Sequence, residues 1–146
     1  MKLVYVCSPL AGDINGNIEK AVHYCAYAAQ QGVVPLAPHT IFTRFLNDTI
    51  PEQREQGLKM GIELLKHCDE LWCCGDKISV GMRNEIIYAG DHGIRIRYIP
   101  TAEIEREISP PASAEKIPLS TRLSSAREET KGLERHSSLI NQLQRG

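Results

Sequence analysis

The sequence predicts an α/β fold of the Rossmann-like, flavodoxin-like kind: a parallel sheet of about four to five strands with helices on both faces. Three observations predict it. Short, nearly continuous apolar runs suit strands that are buried on both faces. The longer segments between them place apolar residues at i, i+3, i+4 and i+7, the helical period. Glycine or proline stands where one pattern gives way to the other. At 146 residues the chain is long enough for one domain with a real core.

Lys2 to Cys7 (KLVYVC) reads as a buried strand, ended by Ser8-Pro9 and a loop through Gly12 and Asp13. From Ile14 the period becomes helical, with Ile18, Ala21, Val22, Cys25, Ala28 and Ala29 on the apolar face and Gly32 at the C-cap. Val33 to Ala37 is a short strand, and Pro35 places it near an edge. Strand, helix, strand makes a βαβ unit, whose crossover is right-handed between parallel strands. Pro38 to Thr49 reads as a loop of unusual length, and such loops are often functional. Pro51 opens a second helix with Leu58, Gly61, Ile62 and Leu65 inward. Asp69 to Cys74 is the third strand, Gly75-Asp76-Lys77 a turn, and Ser79 the cap of a helix that Gly93 ends; Ile94 to Ile99 is the last strand.

Residues 1–100 thus form the α/β domain, and 101–146 are expected as a polar tail. From residue 100 onward there is no Phe, Trp or Tyr, and nine Leu or Ile are spread over 47 positions. Such a segment buries too little apolar area to offset its ordering entropy alone, so a low-order, loosely helical tail is expected. Short helices near Ala102–Ile108 and Leu119–Leu143 would need docking on the body or on another subunit.

A net charge of −1 gives no electrostatic footprint for general nucleic-acid binding. One helix N-terminus can still hold one phosphate. The opening MKLVYVCSPL is too short an apolar run for a signal peptide, and no run nears 18 apolar residues, so a cytoplasmic protein with no membrane partner is expected. Five cysteines, odd in number and set in apolar runs, read as buried free thiols. Adjacent Cys73 and Cys74 point to opposite faces of a strand, and the histidines lack ligand spacing, so neither metal nor cofactor is expected.

In an open parallel sheet, ligands bind at the carboxyl ends of the strands. That selects the loops Cys7 to Asp13, Ala37 to Thr43, and Gly75 to Glu85. In the third, Ser79-Val80-Gly81-Met82-Arg83-Asn84-Glu85 offers a hydroxyl and free backbone N–H groups at a helix start, which attract an anion. Glu85 follows about one and a half turns later, within reach of the same ligand. By spacing alone these residues fit a plain N-cap and a solvated helix glutamate better than a ligand site. His39 fits either a base or a loop histidine bonded to backbone, and Trp72 fits the core.

Taken together, VYVCSPLAGD, the APH after the second strand, and CDELWCCGDKISVGMRNEI resemble an uncharacterised bacterial and phage family. That family is similar to the nucleoside 2-deoxyribosyltransferases and the deoxynucleoside 5′-monophosphate N-glycosidases. The resemblance covers about residues 2 to 99. It implies that Glu85 of Gly81-x-x-x-Glu85 is the nucleophile at the sugar's anomeric carbon, with Tyr5 assisting. It also implies a nucleotide or nucleoside held by Ser8, Pro9, Leu10 and Gly12 of the first loop, by His39 and Asp76, and by Ser79, Gly81 and Met82. The transferases carry an acidic residue at the place of Ser79, whereas the monophosphate glycosidases carry a serine that contacts phosphate. Serine here implies a ligand with a 5′-phosphate, which an aspartate would repel. The resemblance further implies a homo-oligomer.

One departure stands out. The enzymes place an aspartate near the leaving base, eight residues before the residue matching Asp69; here that position is Gly61. Leaving-group assistance would then fall to Asp76, His39 or a water. Three functions follow as expectations: an N-glycosidase or deoxyribosyltransferase, a non-catalytic nucleotide-binding or sensing module, and an interaction protein acting through its tail.

Overall fold

A computed structural model describes residues 1–108. The chain order is β1 (Leu3–Cys7), α1 (Ile14–Gln30), β2 (Val34–Leu36), α2 (Pro38–Ile41), a 3-10 turn (Phe42–Arg44), α3 (Pro51–Lys66), β3 (Glu70–Cys74), α4 (Val80–Asp91), β4 (Arg95–Ile99) and α5 (Thr101–Ile108). The sheet has four strands, all parallel, in the order β2-β1-β3-β4. Chain order reverses between β1 and β3, whose register pairs Tyr5 with Leu71 and Cys7 with Cys73. The Rossmann-like expectation is met, with β2 on the edge that Pro35 required.

Strand alternation sorts the core into two layers. Val4, Val6, Trp72 and Cys74 face α1 and α5, while Tyr5, Cys7, Leu71 and Cys73 face α3 and α4. Cys73 and Cys74 therefore do lie on opposite faces, and the described cysteines are free thiols. On the first side the buried stripe of α1 is Ala21, Tyr24, Tyr27 and Ala28. It is rotated from the expected one, and Val22 and Ala29 are exposed. Aromatic area decides this: Tyr27 packs on Trp72 with ring centroids 6.2 Å apart, a larger gain than burying a valine or alanine.

The span read as a loop from Pro38 is partly helical. Pro38 sits at the N1 position, where its missing N–H is no loss, and the side chains of Thr40 and Thr43 donate back to the carbonyls of Ala37 (2.7 Å) and His39 (2.6 Å). The body also continues past residue 100. In α5, Ile104 is buried against α1, Tyr27 donates to Glu103 at 2.6 Å, and Asp76 accepts the backbone N–H of Thr101 at 3.0 Å. The tail expected over 109–146 lies outside the described residues. No described helix is long and apolar enough to cross a membrane.

Glu70 is a buried charge in β3, and it is satisfied. Lys2 Nζ (2.7 Å) and Trp72 Nε1 (2.8 Å) donate to its carboxylate, and those two hydrogen bonds hold its carboxyl below the usual range. A depressed carboxyl contributes stability that is present above the usual carboxylate range and lost as pH falls through the lowered value. Thermal melts should therefore show a smaller drop in Tm between neutral and acid pH for Glu70→Gln than for the native chain. An equal drop would mean that other carboxylates govern acid unfolding.

Candidate active site

The reversal of strand order opens a crevice at the carboxyl end of β1. Residues from β1 and the loop after it, from α2 and the turn that follows, from α3 and from α4 enclose it, with ≈ 460 Å³ of space counted to the open mouth. Its enclosed part is only ≈ 50 Å³, so this is a shallow, open cleft and not a closed small-molecule cavity.

At its floor Tyr5 Oη donates to Glu85 Oε1 at 2.7 Å, and Cys7 Sγ donates to Glu85 Oε2 at 3.0 Å. Each carboxylate oxygen thus has its own donor, and both donors stand on β1 two residues apart, on one face. Glu85 shares the inward stripe of α4 with Met82 and Ala89, so its side chain points at the sheet. It is not the solvated helix glutamate that spacing also allowed. Burial raises its carboxyl above the usual range, opposed by the hydrogen bonds from Cys7 and Tyr5. Burial, and then the charge of Glu85, pushes the Tyr5 phenol well above its ordinary value, so it stays protonated as a donor.

Gly61 explains how Tyr5 gets there. A Cβ at this buried position on α3 would stand 3.0 Å from Tyr5 Oη and 4.0 Å from Glu85 Oε1. The phenol occupies the space that a side chain at 61 would need. Gly57 and Leu58, one turn earlier, also line the cleft, as does Arg54 at the mouth-side end of the same face. Arg54 Nη1 pairs with Asp48 Oδ2 at 2.7 Å. The eight residues from Arg54 to Gly61 span about 10 Å of helix. The trough therefore has an anionic, hydrogen-bonded floor, apolar walls from Leu10, Phe42, Leu46 and Leu58, and an ion pair at its far end.

His39 lines the cleft, and its Nε2 lies 2.8 Å from the carbonyl of Ser8. A carbonyl only accepts, so Nε2 carries the proton and Nδ1 is the acceptor. Burial lowers its pKa, against the pull of that hydrogen bond. A neutral ring with its one proton committed to backbone is a poor proton donor to a leaving group. Ser8 itself is buried, and its Oγ has no hydrogen-bond partner among the described residues. Pro9 is half-buried, and Gly12 turns the loop with φ +94°.

The remaining expected residues do not line this cleft; they stand in the loop after β3 and the first turn of α4, which leads one turn on to Glu85. Ser79 is the N-cap of α4, and its Oγ accepts the Met82 N–H at 3.3 Å. The Ser79 N–H in turn points at the Met82 sulfur (3.4 Å), and Met82 is 1 % exposed, so Met82 is core rather than pocket wall. The helical period could have said so, since 82, 85 and 89 share a face. Gly81 is half-exposed in the first turn. Asp76 caps α5 and does not line the cleft, so it is not placed to assist a leaving base there. Sequence reasoning missed Cys7, although its spacing from Tyr5 on one strand was a usable signal. It also missed the wall formed by Phe42, Leu46, Asp48 and Arg54, which no periodicity marks.

Two solved structures share the fold. A 2-deoxyribosyltransferase from Bacillus psychrosaccharolyticus aligns with a TM-score of 0.55 at 14% identity, over 82% of this chain and 94% of that one. A 2-deoxyribosyltransferase from Leishmania mexicana aligns with a TM-score of 0.50 at 19% identity, over 69% of this chain and 65% of that one. At such identities the likeness is one of fold. No curated protein matches the chain. The family described as "Domain of unknown function (DUF7768)" matches residues 2–99, the strands, helices and cleft just described, and the chain belongs to that family.

Proposed function

We propose that this protein cleaves or transfers the N-glycosidic bond of a (deoxy)nucleotide, with Glu85 as nucleophile. The observation that carries the reading is the half-buried Glu85 carboxylate, held by Tyr5 at 2.7 Å on the floor of an open cleft. A raised carboxyl pKa makes a more basic nucleophile, and two fixed donors aim it. The fold shared with the two deoxyribosyltransferases supports the same reading.

In this scheme one Glu85 oxygen bonds to the anomeric carbon as the carbon–nitrogen bond breaks, and the electron pair leaves with the base. A proton from water at the open mouth neutralises the base. The glycosyl ester on Glu85 is then resolved by water, giving the sugar phosphate, or by a second base, giving transfer. The base lies along the α3 side of the trough, beside Gly57 and Leu58, with the Asp48–Arg54 pair at its edge. Leu10 of the loop after β1 stands over the sugar, and the His39 ring adds a polar contact.

Ser79 and the Gly81 N–H hold a 5′-phosphate at the start of α4. The Ser79 oxygen accepts from Met82, which leaves its own proton free to donate. Ser79→Asp should weaken a 5′-monophosphate tenfold or more and its nucleoside about threefold or less, read by calorimetry. Equal weakening would return Ser79 to a plain cap.

The direct test is incubation with nucleosides and 5′-monophosphates of each base, with and without a second base, and detection of the free base by chromatography. Release without transfer identifies a glycosidase, and base exchange a transferase. Tight binding without either product would replace this reading by that of a nucleotide sensor.

A further inference from the structure

We propose that Cys7 is a positioning residue for Glu85, its thiol holding the one carboxylate oxygen that Tyr5 leaves free; this rests on the reading of Glu85 as nucleophile. Tyr5 takes Oε1 at 2.7 Å and Cys7 takes Oε2 at 3.0 Å, so neither donor can substitute for the other. Both residues are fully buried on one strand, so water does not stand in for a missing donor. A site built on a strand holds its geometry better than one built on a loop.

The surroundings of Cys7 keep it a donor. Its register partner on β3 is Cys73. The neighbouring Cys73 thiol, burial and the Glu85 charge raise the Cys7 thiol far above its ordinary range. It therefore neither attacks a substrate nor competes for the charge. A thiol is also a weak donor. It can fix the carboxylate while leaving it basic, where a stronger donor would draw down its nucleophilicity. An apolar core position would be filled as well by valine or alanine, and neither of those can face a buried carboxylate oxygen without leaving it unsatisfied.

The test compares Cys7→Ala with Cys7→Ser in the full chain, confirming the fold of each by circular dichroism. Two readouts are needed. The first is the titration of the Glu85 carboxyl by carbon-13 NMR, assigned by its absence in Glu85→Gln. The second is the pH profile of base release from a 5′-mononucleotide. With the donor removed the carboxylate is less stabilised, so in Cys7→Ala both the titration and the acid limb of kcat should move to higher pH. Away from that limb, kcat should fall about threefold to tenfold with KM unchanged. Cys7→Ser should return the titration to the native position or below it.

An unmoved Glu85 titration in folded Cys7→Ala overturns the proposal, whatever the activity. A shifted titration in a protein that releases no base from any nucleotide upholds the contact and instead removes the nucleophile reading. Should Cys7→Ala not fold, the near-isosteric pair Cys7→Val and Cys7→Thr, without and with a donor, makes the same comparison.

Discussion

Glu85→Ala should abolish release of base, by about 10³-fold or more in turnover, while nucleotide affinity stays within about tenfold, roughly 1.4 kcal/mol. The asymmetry follows from what a nucleophile does. Its bond to the anomeric carbon exists in the transition state and the covalent intermediate, and not in the ground-state complex, so removing it raises the barrier more than it weakens binding. Stability separates Glu85→Ala from Glu85→Gln. Alanine leaves the buried Tyr5 hydroxyl without its acceptor, and a buried unpaired donor costs about 1–3 kcal/mol. Glutamine keeps an oxygen for Tyr5 and removes the charge. Burial raises the Glu85 carboxyl, so the native fold loses stability as pH rises from the ordinary carboxylate range through that raised value. Glutamine escapes that loss, so at neutral pH Glu85→Gln should melt above the native protein and Glu85→Ala below it, both being inactive. Quenched-flow or single-turnover assays with the pure variants measure the first effect, and calorimetric melts at pH 7 and pH 4 the second. Turnover surviving in Glu85→Gln would exclude the carboxylate as nucleophile.

The strands and long helices were legible because each carries a strong local signal: apolar runs for β1 and β3, an apolar face for α1 and α3, and glycine or proline at the joins. Tyr5 and Glu85 were legible as candidate residues, and their contact was not. Tyr5 and Glu85 are 80 residues apart, and only the parallel pairing of β1 with β3 brings α4 back over Tyr5. Asp76 shows the opposite case. Its position after a strand suggested ligand chemistry, and a contact 25 residues along the chain, to the first N–H of α5, takes one of its oxygens for a cap. The stretch from Pro38 was legible as a ligand loop but not in its helical form or its wall residues, because a four-residue helix and a 3-10 turn are too short to show a period. Pro38 at an N1 position was the one readable hint. The inward direction of Glu85 was readable from its spacing to Met82 and Ala89, but a charged residue on an apolar stripe invites the assumption that it turns away from the core. Here it stays, because two donors on β1 meet it.

Gly61 is where family logic and local packing disagree, and Gly61→Asp decides between them. If the chain has simply lost a leaving-group acid, restoring the aspartate should raise turnover. The packing requires the reverse. A Cβ at 61 would sit 3.0 Å from Tyr5 Oη, and the Tyr5 ring is fully buried, so the phenol cannot swing aside without displacing the core. Displacing that hydroxyl breaks the 2.7 Å hydrogen bond to Glu85, and a shift of about 1 Å in a reacting group costs about 10²-fold. The new carboxylate also stands beside Glu85, and like charges at that range raise the carboxyl further and withdraw the nucleophile. Gly61→Ala isolates the steric part. Replacing a helical glycine gains up to about 1 kcal/mol in propensity, which the contact with Tyr5 offsets. Its melting temperature should therefore stay near the native value while turnover falls about tenfold or more. Gly61→Asp should lose turnover about 10²-fold or more, with an acid limb moved to higher pH. A faster Gly61→Asp would show that the phenol can move and that an acid was the missing part. A native rate in Gly61→Ala would show that the Tyr5–Glu85 hydrogen bond is dispensable for the chemistry.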